Sequence, residues 1–102
     1  MVKITDENYN DIVKSDKLVI IDFYAEWCGP CKSLAITLDK IAENNAGITI
    51  GKADVDEVIE ISKINAIRNV PTLLFIKNGE ILSKKSGSIP QSAIQAEIDK
   101  FI

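Results

Sequence analysis

The sequence predicts an α/β domain in which a mixed β-sheet of about five strands is flanked by helices on both faces. Three observations carry that expectation. Strand-like runs alternate with helical periodicities along most of the chain, the pattern of parallel strands joined by crossover helices. The run Leu18-Val19-Ile20-Ile21-Asp22-Phe23 is apolar on both alternations except at Asp22, as in a strand covered on both sides. Asn78-Gly79 separates two further strand-like runs and is a strong hairpin signal, so the last two strands should pair antiparallel.

Taken in order, residues 2–4 make a short first strand. Thr5 followed by Asp6 and Glu7 signals a helix start, and Tyr9, Ile12 and Val13 give a short apolar face through about Lys14. Residues 18–25 are rich in Val, Ile, Phe and Tyr and read as a strand, which Trp27 to Pro30 interrupts. A long helix is expected over residues 29–44 with Leu34, Leu38, Ile41 and Ala42 on one face, ended by Asn45-Ala46-Gly47. Residues 48–54 read as a strand and 57–67 as a helix through Val58, Ile61 and Ile64. Pro71 opens a strand over residues 72–77, and residues 80–86 form its hairpin partner, broken at Gly87. Pro90 stands at the first position or the cap of a last helix that turns Ala93, Ile94, Ile98 and Phe101 inward. The order is β-α-β-α-β-α-β-β-α.

The chain has 102 residues, 46% hydrophobic and 26% charged. That is one ordinary domain, residues 1–102, with no repeat, low-complexity tract or linker. Its net charge of −3 lacks the electrostatic footprint of a nucleic-acid binder. No apolar run approaches the ~20 residues needed to cross a bilayer, and Met1 to Asp6 has no apolar stretch of signal-peptide length. A cytoplasmic location and no membrane partner are therefore expected. No Gly-x-Gly-x-x-Gly or P-loop pattern occurs, so no nucleotide site is expected.

There are two cysteines, Cys28 and Cys31, and no histidine. Two thiolates cannot complete a four-ligand zinc site, and the usual imidazole partners are missing. A disulfide framework normally uses four or more cysteines. What remains for Cys28-Gly29-Pro30-Cys31 is reversible thiol–disulfide chemistry, or two unrelated buried thiols. The motif lies between a strand and a helix. Cys28 falls at the helix entrance, where free N–H groups and the positive end of the dipole favour a thiolate. Cys31 lies nearly one turn on, and Pro30 sits where an early helix residue needs no donor. A bridge closing so small a loop gains only roughly 2 kcal/mol from chain entropy, which suits one that must open.

Two charges are anomalous. Asp22 shares a strand face with Leu18, Ile20 and Tyr24, and Lys52 shares one with Ile48 and Ile50. Charged side chains are almost never fully buried unless paired, so the two are expected to approach one another, the alternative being strand ends in water. Other charges take a plainer reading: Asp54-Val55-Asp56-Glu57 as a solvated loop and helix N-terminus, Lys84-Lys85 as solvated strand surface.

The string Phe23-Tyr24-Ala25-Glu26-Trp27-Cys28-Gly29-Pro30-Cys31-Lys32, with Val70-Pro71-Thr72, Lys77-Asn78-Gly79-Glu80 and Gly87 downstream, resembles the thioredoxin family from about residue 3 to the C-terminus. The resemblance implies the thioredoxin fold and a thiol–disulfide oxidoreductase, a protein-disulfide reductase and dithiol electron carrier with no bound cofactor and no metal. Matching positions imply that Cys28 attacks a substrate disulfide, that Cys31 resolves the mixed disulfide, and that the two form the redox disulfide. They imply that Asp22 is the base for Cys31, acting through water beside Lys52, and that Pro71 is a cis-proline. Trp27, Gly29, Pro30, Val70 and Thr72 would form the docking surface, with Asn69 beside it. The implied partners are a thioredoxin reductase and disulfide-bearing proteins, in the family ribonucleotide reductase, peroxiredoxins and methionine sulfoxide reductases, acting on a monomer.

Three positions depart from the family pattern: Ile36 where the long helix often carries a proline, Asn69 where a glycine is frequent, and Asn65 in place of a common aromatic. The competing readings are a protein-disulfide oxidase or isomerase on the same fold, a non-catalytic partner-binding subunit, and a cluster- or zinc-bridged dimer. Gly29-Pro30 supplies no charge that would make the disulfide more oxidising, which disfavours the first.

Overall fold

The computed structural model describes residues 1–102. The elements are β1 (Val2–Lys3), α1 (Tyr9–Val13), β2 (Val19–Tyr24), α2 (Gly29–Asn44), β3 (Thr49–Asp54), α3 (Ile59–Ile64), β4 (Thr72–Lys77), β5 (Glu80–Ser86) and α4 (Gln91–Phe101). The strands lie in the order β1-β3-β2-β4-β5. β1 and β2 flank β3 in parallel; β4 pairs antiparallel with both β2 and β5.

β2 sits at the centre, and its alternation builds two cores. Val19, Ile21 and Phe23 pack with Tyr9 and Val13 of α1 and Ile61 of α3. Leu18 and Ile20 face the other way, into Leu34, Leu38 and Ile41 of α2 and Ile94 and Ile98 of α4. Each fully buried side chain of this size contributes about 1.5–3 kcal/mol. The same parity sends Asp22 to the α2 side of the sheet.

The long helix has the bounds its sequence signals. Cys28 is its N-cap, with extended backbone, and Pro30 lies in the first turn. At its end the Asn45 side chain donates to the Ile41 carbonyl (2.8 Å) and exchanges two hydrogen bonds with Gln95 of α4. Ala42, expected on the inner face, is exposed. The stripe Leu34–Leu38–Ile41 already meets the sheet, and position 42 lies at its margin. In the hairpin, Asn78 (φ 54°) and Gly79 (φ 77°) are both left-handed, as a two-residue turn matching the sheet twist requires.

Three further readings need correction. α1 begins at Tyr9, because Thr5 and Asn8 first close a turn: Thr5 N donates to Asn8 Oδ1 (2.7 Å) and Asn8 N to Thr5 Oγ1 (3.0 Å). α3 is much shorter than residues 57–67. Glu57 N and Val58 N donate to the Asp54 carbonyl, which holds that stretch in a turn. At the other end Ala66 is left-handed (φ 51°), with Ala66 N donating to Lys63 O and Ile67 N to Ser62 O, a Schellman stop. The first donors of α3 are satisfied from a distance: Asp6 accepts from Glu60 N (3.4 Å) and Ile61 N (3.0 Å). Lys84 and Lys85 are not merely solvated. Lys84 Nζ donates to the Asn65 and Ala66 carbonyls at the end of α3 (3.0 and 3.1 Å), and Lys85 lies 3.8 Å from Glu97. Asn65, the departure from an aromatic, is buried and donates to Tyr9 Oη (3.2 Å) and the Ile61 carbonyl (2.9 Å).

Candidate active site

The C-terminal end of β2 delivers the chain through Ala25, Glu26 and Trp27 to the entrance of α2. Cys28 N donates to the Ala25 carbonyl at 3.1 Å, which turns the chain into the helix. Cys28 and Cys31 are joined as a disulfide with Cα atoms 5.3 Å apart. As N-cap, Cys28 Sγ accepts from Cys31 N at 3.2 Å. A free N–H of a helix's first turn therefore points at this sulfur, where it favours negative charge once the bridge opens. Both sulfur-bearing residues are buried with Ala25, against Tyr24, Val55 and Val70.

A redox-ready cysteine pair at a strand-to-helix turn, on a five-stranded mixed sheet, agrees with what comparison with known proteins finds. The thioredoxin family model matches residues 1–100. The chain belongs to the thioredoxin family. It is 39% identical to a thioredoxin of Chlorobaculum thiosulfatiphilum over 100 residues, 96% of this chain and 93% of that one. Against thioredoxin-1 of Saccharomyces cerevisiae it is 39% identical, covering 90% and 89% of the two chains. Against a thioredoxin of Pseudomonas aeruginosa it is 35% identical, covering 100% and 96%. As in that family, the Cys28–Cys31 pair is the redox-active centre of a thiol–disulfide oxidoreductase.

Two recesses flank the pair. On the α2 side a cleft of about 200 Å³ is lined by Asp22, Tyr24, Cys31, Ala35, Lys52 and Met1, among others. Asp22 is only 1% exposed, and its Oδ1 has no hydrogen-bond partner. Burial alone pushes its carboxyl up to about 7. Asp22 and Lys52 are register partners across β2 and β3, as their anomalous placement led one to expect, yet no ion pair joins them. Lys52 is exposed rather than buried; its ammonium lies over the Tyr24 ring, 6.0 Å from the centroid. The cleft opens the end of this strand face to solvent, and a hydrated ammonium remains there.

The second recess lies toward α3 and is lined by Trp27, Val55, Ile67, Arg68, Asn69 and Val70. Trp27 is 73% exposed, and its indole N–H donates to Asp56 Oδ2 at 3.3 Å. Gly29 and Pro30 are exposed beside it. The Val70–Pro71 bond is cis and Pro71 is buried. Thr72 is buried and donates to the Asn69 carbonyl (2.8 Å) and Asn69 Oδ1 (3.2 Å), which ties the loop before the proline.

The structure thus brings Asp22, Cys31 and Lys52 to one recess and Trp27, Asn69 and Val70 to the other. Sequence reasoning missed Val55, Asp56, Ile67 and Arg68. The acidic segment read as solvated is partly structural: Asp54 is buried and its Oδ1 accepts from Asp56 N at 2.9 Å, which presents Asp56 to Trp27. The apolar Val55 between acids was the available signal. Arg68 carried a signal too, as the only arginine in the chain.

Proposed function

We propose that this oxidoreductase works as a protein-disulfide reductase in which Cys28 attacks and Cys31 resolves. The observation that carries the assignment is the 3.2 Å hydrogen bond from Cys31 N to Cys28 Sγ at the entrance of α2, because the sulfur so supported is the better thiolate. The Cys28 thiolate attacks one sulfur of a substrate disulfide. A mixed disulfide forms and the first substrate thiolate leaves. Cys31, relieved of its proton, then attacks Cys28 Sγ; the Cys28–Cys31 bond forms and the second substrate thiolate leaves. Two electrons pass to the substrate, and two protons follow them. Asp22 is the base for Cys31: it lines the same cleft and titrates near neutrality. The cleft admits the water that relays the proton.

The exposed Trp27, Gly29, Pro30 and Asn69 and the half-buried Val70, with Pro71 and Thr72 supporting them from beneath, dock the substrate. A thioredoxin reductase returns the electrons, and the chain works as a cytoplasmic monomer. No helix is long and apolar enough to cross a membrane.

Reduction of insulin disulfides coupled to NADPH and a thioredoxin reductase tests the activity. Mass mapping of the reduced protein after brief iodoacetamide treatment tests the roles, and Cys28 should be labelled first. Preferential labelling of Cys31 would sink the assignment.

A further inference from the structure

The recess beside Trp27 does not end at Ile67. A second recess, lined by Ile59, Ser62, Lys63 and Ala66, shares Val55, Ile67 and Arg68 with it. Together they form one groove running from the redox centre along α3, with an apolar floor and its charges at the edges. The charge changes sign along it. At the Trp27 end stands Asp56, bonded to the indole. Where the two recesses join stands Arg68, and beyond it Lys63, both exposed. Neither belongs to any ion pair, and Glu60, one turn before Lys63, does not reach it. Lys84, close by, is occupied with the end of α3. In a chain of net charge −3, two uncommitted cations along an apolar groove are an unmatched feature. Arginine adds a planar fork that donates two parallel hydrogen bonds to a carboxylate.

We propose that Arg68, assisted by Lys63, is a specificity determinant that selects substrate proteins whose disulfide-bearing segment carries a carboxylate near the attacked cysteine. The proposal rests on the reductase reading above. The segment lies with its apolar side chains on Val55 and Ile67 and its acidic residue at Arg68. Asp56 repels the reverse orientation, so the charge gradient sets direction as well as preference.

The test uses peptides cyclised by one disulfide that differ only in Glu or Gln at each position flanking the attacked cysteine. The kcat/KM of each pair is measured for the wild-type protein, Arg68→Gln, Arg68→Lys and Lys63→Gln, at low and high salt. At one flanking position the wild type should favour Glu by about fivefold at low salt, the upper range for an exposed ion pair. Arg68→Gln should bring the ratio close to one. Arg68→Lys should keep part of it, Lys63→Gln should lower it less, and salt should weaken it. A wild-type ratio of one at every position overturns the proposal, as does a preference that survives in Arg68→Gln. Failure of the wild type to reduce any peptide overturns the reductase reading itself, a result separate from reduction of Glu and Gln peptides alike.

Discussion

The two recesses that flank the disulfide are built on opposite principles. The cleft behind Cys31 holds a carboxylate that the fold buries without a hydrogen-bond partner for Oδ1. The groove beside Trp27 holds charges that are exposed and inexpensive. Burying a lone acid costs stability and yields a group that titrates where a proton transfer needs it. Exposed charges cost little, and their effect appears only when a partner arrives. In the proposed mechanism, chemistry common to all substrates belongs to the cleft, and discrimination between substrates belongs to the groove. Substitutions on the two sides should therefore fail in different ways.

The largest effect is expected at the bond between the two regions. Cys31→Ser removes the resolving thiol, so turnover should fall to background while a mixed disulfide with substrate accumulates, visible on non-reducing gels. Release of substrate at the wild-type rate would break the two-step scheme.

Next comes Asp22→Asn, which acts from the cleft. Its folded carboxyl titrates near 7 against ~3.9 unfolded, so the native state holds the proton more tightly. The stabilisation this gives is fully present below pH ~3.9 and is lost as pH rises through 7. The neutral variant should be more stable than wild type by roughly 2–4 kcal/mol at pH 8, with the difference vanishing near pH 3. Denaturant unfolding of the oxidised proteins at both values checks the sign. A variant less stable at pH 8 would make Asp22 a structural partner of Lys52 after all.

On the groove side, Asn69→Gly removes the Oδ1 acceptor for Thr72 but leaves the carbonyl bond. It should change the ratio of kcat/KM between two protein substrates about two- to fivefold, the span of a modest hydrogen-bond difference, and leave the reduction potential nearly unaltered. An equal change on every substrate, a small disulfide included, would place Asn69 with the chemistry.

The smallest effect is expected at Ala66 on the far rim, left-handed at φ 51°. Glycine relieves that strain but loses more entropy on folding. Ala66→Gly should stabilise by at most about 1 kcal/mol, measured by thermal unfolding, without altering rates on a small disulfide.

What the sequence made legible follows the same division. The bounds of α2 were readable because Cys28, Pro30 and Asn45 mark them locally, and the β4–β5 turn because Asn78-Gly79 permits little else. Asp22 was readable as an intrusion into an apolar strand. Lys52 was not: strand parity tells which face a residue shares, but not whether a helix covers that face at its end. The shortened α3 was hidden because its stop uses an alanine where glycine is the usual signal, and its cap comes from Asp6, more than fifty residues away. The groove was hidden for a related reason. Val55 comes from the loop before α3 and Ile67 and Arg68 from the loop after it, and only tertiary packing joins them.

Whether the buried acid of the cleft is the base for Cys31 can be read from the second step alone. A mixed disulfide between Cys28 and a model substrate is prepared, and its resolution is followed in single turnover from pH 5 to 9 for the wild type and Asp22→Asn. The wild-type rate should rise through a midpoint near 7 as Asp22 ionises. The variant should lose that limb and resolve about 10-fold or more slowly at pH 8, the low end of what a positioned base contributes. Superimposable profiles for the two proteins would show that Asp22 is not that base.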